Sequence, residues 1–392
     1  MNGLSTIRCF NAEQVLIKEF DQHQNMHTGT WYMYIAVSQA FGFGLDVLCI
    51  AFVFVVTFSF LWLDTKNVSG SSVGLAISQA MSLTAMLQWG VRQSAEVANQ
   101  MMAVERILEY RDLEPEQKDD PTPKEVEKSW PQHGAVEFKN VVYRYFEEAE
   151  PALRGVNFEV LPGEKIGIVG RTGAGKSSLI GAIYRMAELE GEIIIDGIDT
   201  GKISLEQLRS KISIIPQDPV LFSGTLRRNL DPFEDFADEL LWKALSEVEL
   251  KDIAGPQGLQ TLVAAGGSNF SVGQRQLICL ARAVLRNNKI LVLDEATANV
   301  DPDTDHLIQL TIRRRFCDCT VLTVAHRLHT IMDSDRVLVM NYGIAEEFDT
   351  PMNLLELPMG IFRDMVNATG TQESETLRKM AKEKHESIAK EA

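Results

Sequence analysis

The sequence predicts a membrane α-helical hairpin followed by an α/β P-loop domain, and three observations carry the prediction. Residues 47–63 contain no charge, and upstream to residue 36 only Asp46 interrupts the apolar run. From Gly134 onward, short β-rich runs alternate with helical patterns. Within that second region lies EKIGIVGRTGAGKSS, a strand followed by a glycine-rich loop and the start of a helix.

Residues 36–63 are long enough to cross a bilayer, and Trp31, Tyr32 and Trp62 stand near the ends as interfacial aromatics. Residues 73–91 are again uncharged but more polar. Their nearness to the first span makes them the return stroke of a hairpin, with Ser, Thr and Gln turned to other helices or a water-filled path. Two crossings put both ends on one side. Residues 1–30 read as an amphipathic helix feeding the first span, and 92–111 as a helix leaving the second. Residues 112–133 mix charge with proline and make a linker. The α/β domain is expected over 134–365. The charged tail, 366–392, has no turn residues after Gly370 and is read as a solvated extension able to form a helix.

Composition narrows the function classes. The chain of 392 residues has a formal net charge of −16, which argues against a nucleic-acid protein. The five cysteines lack zinc-knuckle spacing, so reduced thiols in a cytosolic compartment are expected. The opening MNGLSTIRCFNAEQ has no apolar h-region, and no signal peptide is expected.

The chemistry sits in the second region. Gly170, Gly173 and Gly175 let the backbone curl so that its amides face phosphate oxygens. Thr172, Ala174 and Ser178 complete the loop, Lys176 reaches the β- and γ-phosphates, and the Ser177 hydroxyl is placed to ligate magnesium. The strand at 290–293 ends in Asp294 and Glu295; after a phosphate loop, Asp294 reads as a magnesium-shell carboxylate and Glu295 as the group polarising an attacking water. Gln217 follows another apolar strand and His326 a third. Singly, Gln217 reads as a surface amide, His326 as structural, and Tyr145 as a core tyrosine or a stacking partner for adenine. Ser271 opens a helix whose bare amides could hold a phosphate.

In order, Tyr145, the phosphate loop, PQDPVLFSGTLRRNLDPF, NFSVGQRQ, LVLDEATANVD and TVAHRL resemble the nucleotide-binding domain of an ATP-binding cassette transporter. LRRNLDPF and SVGQRQL resemble the second such domain of subfamily C, the multidrug resistance-associated proteins. GLSTIRCFNAEQ and LQWGVRQSAEVANQMMAVERILEY resemble the last two membrane helices of the same proteins. The resemblance implies a membrane α-helical hairpin followed by an α/β P-loop ATPase domain of the ABC type. Residues 1–111 would be the end of a second transmembrane domain, 112–133 a linker and 134–365 the nucleotide-binding domain.

It implies further that ATP and Mg2+ are bound, with Ser177, Gln217 and Asp294 around the metal. Gln217 would sense the γ-phosphate, His326 would contact it beside Glu295, and Asp301 would lie in a loop crossing between paired domains. Ser271, Gly273 and Gln274 would hold a nucleotide bound to a partner domain, since such domains pair head to tail. Trp89 and Arg92 fall where the family's last helix borders the substrate path, although an arginine at a helix end also snorkels to the interface. Val272 replaces the second glycine of the common SGGQ signature, which points to a weaker partner site. Intact Lys176 and Glu295 point to a hydrolytic site here. Ala265 stands where related exporters have a glutamate touching the membrane domain.

The implied function is the motor and exit helices of an exporter of amphipathic organic anions and xenobiotics, residing in a lipid bilayer, by family expectation the plasma membrane, with the nucleotide-binding domain in the cytoplasm. Implied partners are a second nucleotide-binding domain, the remaining transmembrane helices and an amphipathic small molecule. The chain would then be a fragment of a longer one. An ATP-gated channel or channel regulator of the same subfamily, and an inactive ATP-binding fragment, are the alternatives.

Overall fold

The computed structural model describes residues 3–62, 69–113, 116, 126–127, 129–146, 148–251, 255, 257–296, 300–325 and 327–391. The chain divides into two compact units, Met1–Lys118 and Asp119–Ala392.

The first unit is helical. A short α1 (Leu4–Cys9) stops at Asn11, whose φ is 50°, and α2 (Glu13–Trp62) then runs unbroken for 50 residues. A single amphipathic helix over 1–30 is therefore not what forms. The chain turns early, and the charged and the apolar stretches share one rod about 75 Å long at 1.5 Å per residue. Its most apolar window has a mean hydropathy of 2.4, and none of that window is buried within the structure. Among the described residues α2 is the one helix long and apolar enough to cross a membrane.

The polar 73–91 segment lies inside α3 (Gly70–Arg111), capped by the Ser69 hydroxyl, which accepts the Ser72 amide at 3.3 Å. The two helices meet through polar groups. Gln88 Nε2 donates to Asp46 Oδ1 at 2.7 Å, and a Cβ added to Gly42 would lie 3.3 Å from an Arg92 guanidinium nitrogen.

The second unit is an α/β cassette. β1 (Val136–Arg144) and β2 (Leu153–Val160) form an antiparallel pair, followed by β3 (Lys165–Gly170), α4 (Lys176–Ile183), β4 (Glu188–Ile195) and β5 (Ile198–Asp199). Next come α5 (Leu205–Ser210), β6 (Ile212–Ile215), β7 (Gly224–Thr225), α6 (Leu226–Leu230), α7 (Asp238–Glu247) and β8 (Leu262–Val263). The chain continues through α8 (Val272–Arg286), β9 (Ile290–Asp294), α9 (Pro302–Arg315), β10 (Thr320–Val324), β11 (Arg336–Asn341) and β12 (Ile344–Asp349). It closes with α10 (Pro351–Glu356), α11 (Ile361–Asn367) and α12 (Thr371–Glu391).

The main sheet has the order β12-β11-β3-β10-β9-β6, all parallel except β12, and an antiparallel sheet β2-β1-β4-β5 packs over it. Parallel strands covered on both faces alternate between two apolar layers, as the two-residue side-chain period requires. Ile290 and Val292 of β9 join the core beneath the small sheet, with Phe138, Tyr143 and Leu179. Leu291 and Leu293 join the core under α7, α8 and α9, with Leu245, Leu280 and Ile308. On β11, Leu338 and Met340 take the first side, while Val337 and Val339 face Phe362, Val366, Leu377 and Ala381.

Leu377 and Ala381 belong to α12. The tail is thus helical but solvated on one face only, and Lys384 reaches Asp335 at 3.1 Å.

Asp196 fastens the start of the cassette. At φ 46° it turns β4 into β5, and its carboxylate accepts the amides of His133 at 2.8 Å, Gly134 at 3.1 Å and Ala135 at 2.8 Å. Burial pushes this carboxyl up, but the backbone amides outweigh it and leave it below the usual carboxylate range. A depressed folded value means stability present above the unfolded value and lost as pH falls through the folded one. Asp196→Ala is expected to cost about 1–2 kcal/mol at pH 7 after allowance for solvent screening at this half-buried position. The difference from wild type should shrink as pH drops below about 4, measured by urea unfolding of the full chain in nanodiscs.

Candidate functional site

The site is built where parallel strands end. β3 runs into the glycine-rich loop at its C-terminal end, and α4 starts directly after it. Gly170 has no room for a side chain, since a Cβ there would come within 2.4 Å of the Met340 carbonyl oxygen. Gly173 and Gly175 hold φ of 81° and 100°, the left-handed region that an L side chain adopts only with strain, and this curls the loop.

Inside the curl Lys176 is only 7% exposed, and its Nζ donates to the carbonyls of Gly170 at 3.0 Å and Arg171 at 3.4 Å. The ammonium therefore lies within its own loop, with backbone carbonyls as the groups a phosphate would replace. Ser177 is exposed beside it, and Ala174 is buried beneath the loop.

Adjacent strands bring the other groups. β10 pairs with both β3 and β9, matching Val324 to Ile168 and to Asp294. Asp294 thus ends its strand level with the phosphate loop's own strand. The next residue, Glu295, is 8% exposed at φ 47°, and its amide donates to the Val324 carbonyl at 3.0 Å. A left-handed glutamate is uncommon, and here it turns the chain sharply directly after Asp294. β6, at the far edge, ends two residues before Gln217.

These pieces converge on one cavity of about 340 Å3. It is lined by Ala152, Thr172, Gly173, Gly175, Lys176, Ser177, Ser178, Gln217 and Glu295. Tyr145 sits at its edge, half exposed, with its hydroxyl 3.1 Å from that of Ser178. Of the two tyrosines near the end of β1, Tyr143 is the core residue and meets Tyr145 edge-on at 5.2 Å between ring centres. Asp294 stands next to the cavity without lining it, and His326 falls outside the described residues. A larger cavity, about 790 Å3, lies between α9 and the α11–α12 junction and shares only Gly170 with the loop.

Ser271, Gly273 and Gln274 do not line this cavity. They open α8, where Ser271 and Gln274 form a reciprocal capping box: the Gln274 amide donates to Ser271 Oγ at 3.2 Å, and the Ser271 amide to Gln274 Oε1 at 2.9 Å. A Cβ on Gly273 would lie 3.2 Å from Thr304 Cγ2 and 3.4 Å from Asp301 Oδ1. Asp301 caps α9, and the Thr304 amide and hydroxyl hold its carboxyl below the usual range. The capped start of α8 and the start of α9 therefore form one surface. Trp89 and Arg92 are exposed on α3 in the other unit.

Sequence reading missed Ala152, a wall of the cavity, because nothing in PALRG marks a residue that faces a distant loop. It also missed the inward-facing polar residues of α8. A glutamine and an arginine on an otherwise apolar helical face were the available sign.

The fold and the cavity define a P-loop nucleotide-binding domain of the ABC type. Residues 153–298 match the family profile described as ABC transporter. The chain is 52% identical over 393 residues to "Probable multidrug resistance-associated protein lethal(2)03659" of Drosophila melanogaster, covering 99% of this chain and 28% of that protein. It is 49% identical to "ATP-binding cassette sub-family C member 4" of Homo sapiens, covering 98% of this chain and 29% of that protein. The solved "Structure of a bacterial Atm1-family ABC exporter with ATP bound" matches at a TM-score of 0.82 and 26% identity, covering 94% of this chain and 65% of that one. This chain belongs to the ATP-binding cassette transporter family, subfamily C, and it spans less than a third of the length of either of these curated relatives.

Gly175 gives a direct check on the loop. A Cβ there would stand 3.0 Å from the Ala152 carbonyl oxygen and would have to adopt a φ of 100°. Gly175→Ala is expected to weaken binding of a fluorescent ATP analogue about tenfold or more, from roughly 1–3 kcal/mol of backbone strain.

Proposed function

We propose that this chain is the ATP-binding and ATP-hydrolysing part of a membrane exporter of amphipathic organic anions and xenobiotics. In this reading it is the C-terminal fragment of a longer chain, containing the last two membrane helices and the second nucleotide-binding domain. The observation that carries the proposal is the convergence of Lys176, Ser177, Gln217 and Glu295 on one cavity beside Tyr145.

Each residue then has a stated task. Amides of the curled loop and the N-terminus of α4 face the phosphates, and Lys176 exchanges the Gly170 and Arg171 carbonyls for phosphate oxygens. Tyr145 offers a half-exposed ring to adenine. The donor set suits magnesium, a hard cation that takes oxygen ligands and shares them with phosphates. Ser177, Gln217 and Asp294 would hold it, and it would neutralise charge developing on the phosphates. Glu295 accepts a proton from the attacking water, and His326 contacts the γ-phosphate. Ser271, Gly273 and Gln274 grip the nucleotide of a second cassette, which returns its own signature helix to this one. α2 and α3 join the remaining transmembrane helices in the bilayer, with Trp89 and Arg92 beside the substrate path and the cassette in the cytoplasm, at the plasma membrane.

Two substitutions separate binding from hydrolysis. Lys176→Ala should weaken ATP-analogue binding more than about tenfold, through lost charge-assisted hydrogen bonds. Glu295→Gln should keep binding within about twofold and lower ATP turnover by about a hundredfold or more when a second cassette is supplied. Equal binding by Lys176→Ala and wild type would sink the nucleotide reading. An antibody against KMAKEKHESIAKEA should detect in native membranes a band several-fold heavier than 43.8 kDa if the chain is part of a longer transporter.

A further inference from the structure

We infer that Gln276 and Arg282, on the body of α8, are positioning residues that hold the loop carrying Gln217, so that one helix touches both a partner's nucleotide and this cassette's own γ-phosphate sensor. The inference rests on the nucleotide reading above and adds residues to it.

The loop from Pro216 to Thr225 has little regular structure of its own, yet its carbonyls are held from α6 and α8. Gln276 Nε2 donates to the Pro216 carbonyl, one residue before Gln217, at 3.0 Å. Arg282 Nη1 donates to the Val220 carbonyl at 3.1 Å. Its Nε and Nη2 donate to the Asn229 carbonyl at 2.6 Å and to Asn229 Oδ1 at 3.0 Å. Asn229, 4% exposed, closes the frame, donating to the Phe222 and Thr225 carbonyls at 2.8 and 3.1 Å and accepting the Phe222 amide at 2.9 Å.

Gln276 is a poor choice for stability alone. It is 1% exposed, and its Oε1 accepts no hydrogen bond among the described residues. A buried carboxamide with one bond and an idle oxygen is less favourable than an apolar residue of similar size. Its one bond fixes the backbone immediately before Gln217. The same helix starts at Ser271, so displacement of its N-terminus, about one turn from Gln276, is transmitted through a rigid rod to the loop.

The test uses the full chain in nanodiscs. In nucleotide-free protein, hydrogen exchange of amides over 217–225 should rise at least about threefold in Gln276→Leu, with the rest of the cassette unchanged. Affinity for mant-ATP is then compared in MgCl2 and in EDTA. Gln276→Leu should lose the magnesium-dependent gain in affinity that Gln217→Ala loses, and keep the EDTA affinity within about twofold of wild type. Because Gln276 acts through Gln217, the double variant should be no worse than Gln217→Ala alone. Arg282→Lys, which keeps the charge and loses the fork, repeats the cycle should Gln276→Leu fail to fold. Unchanged exchange over 217–225, an unchanged magnesium gain, or additive effects in the double variant would each overturn the inference. Should Lys176→Ala leave mant-ATP binding intact, the inference falls with the nucleotide reading, an outcome the exchange experiment does not share.

Discussion

Parallel register governs everything else in the cassette. Val324 pairs with both Ile168 and Asp294, and Leu293 pairs with Ile215, so four strands finish at nearly one level. The segment leaving each strand is then forced to one edge: the phosphate loop after β3, Glu295 after β9, Gln217 after β6. No residue of that set is near another in sequence. The two apolar layers that cover the sheet fix the register, because a slip of one residue would turn Ile290 and Val292 out of one core and Leu291 and Leu293 out of the other. The geometry of the cavity is therefore set by the packing of isoleucine, leucine and valine around the sheet.

That dependence explains what could be read from the chain alone. Strands covered on both faces are apolar at nearly every position, and ILVL and VLTV show it directly. The glycines of the loop are legible because a left-handed φ leaves few other choices. Less visible was the unity of α2. A charged amphipathic stretch and an apolar span look like two elements, and only a continuous backbone with no glycine- or proline-induced break between them makes them one. The tail misled in the opposite direction. Its composition is that of a solvated helix, yet Leu377 and Ala381, one turn apart, suffice to seat α12 against β11 and α11. Local charge content records what the exposed side does and is silent about a narrow buried stripe.

The partners of the polar residues of α8 are hidden in the sequence for a further reason. A glutamine in an amphipathic helix is assigned by default to water; its place on an apolar face is a sign that it is buried, but not of which carbonyl it meets across the interface. Only the tertiary fold supplies Pro216, which lies on a distant loop. The same holds for Ala152, brought to the cavity by the turn between β1 and β2. Sequence marks groups that need a particular residue type; it does not mark backbone atoms, and in this site backbone atoms do much of the holding.

Under the proposed reading, the cavity and the start of α8 together leave a single cassette incomplete. Lys176, Gln217 and Glu295 surround one space, while Ser271, Gly273 and Gln274 lie on a different surface, with Gly273 against Asp301 and Thr304. Closing that separation within one cassette would require α8 to leave the core in which Leu277, Ile278 and Leu280 are buried. Stripping three such side chains from their packing costs on the order of 6 kcal/mol or more, a penalty comparable to the stability of a whole domain. In that reading a second cassette would meet the same need with no internal rearrangement, by bringing its own helix start to this cavity and its own cavity to this helix. The apolar anchoring of α8 is thus the physical argument for pairing in the proposed reading.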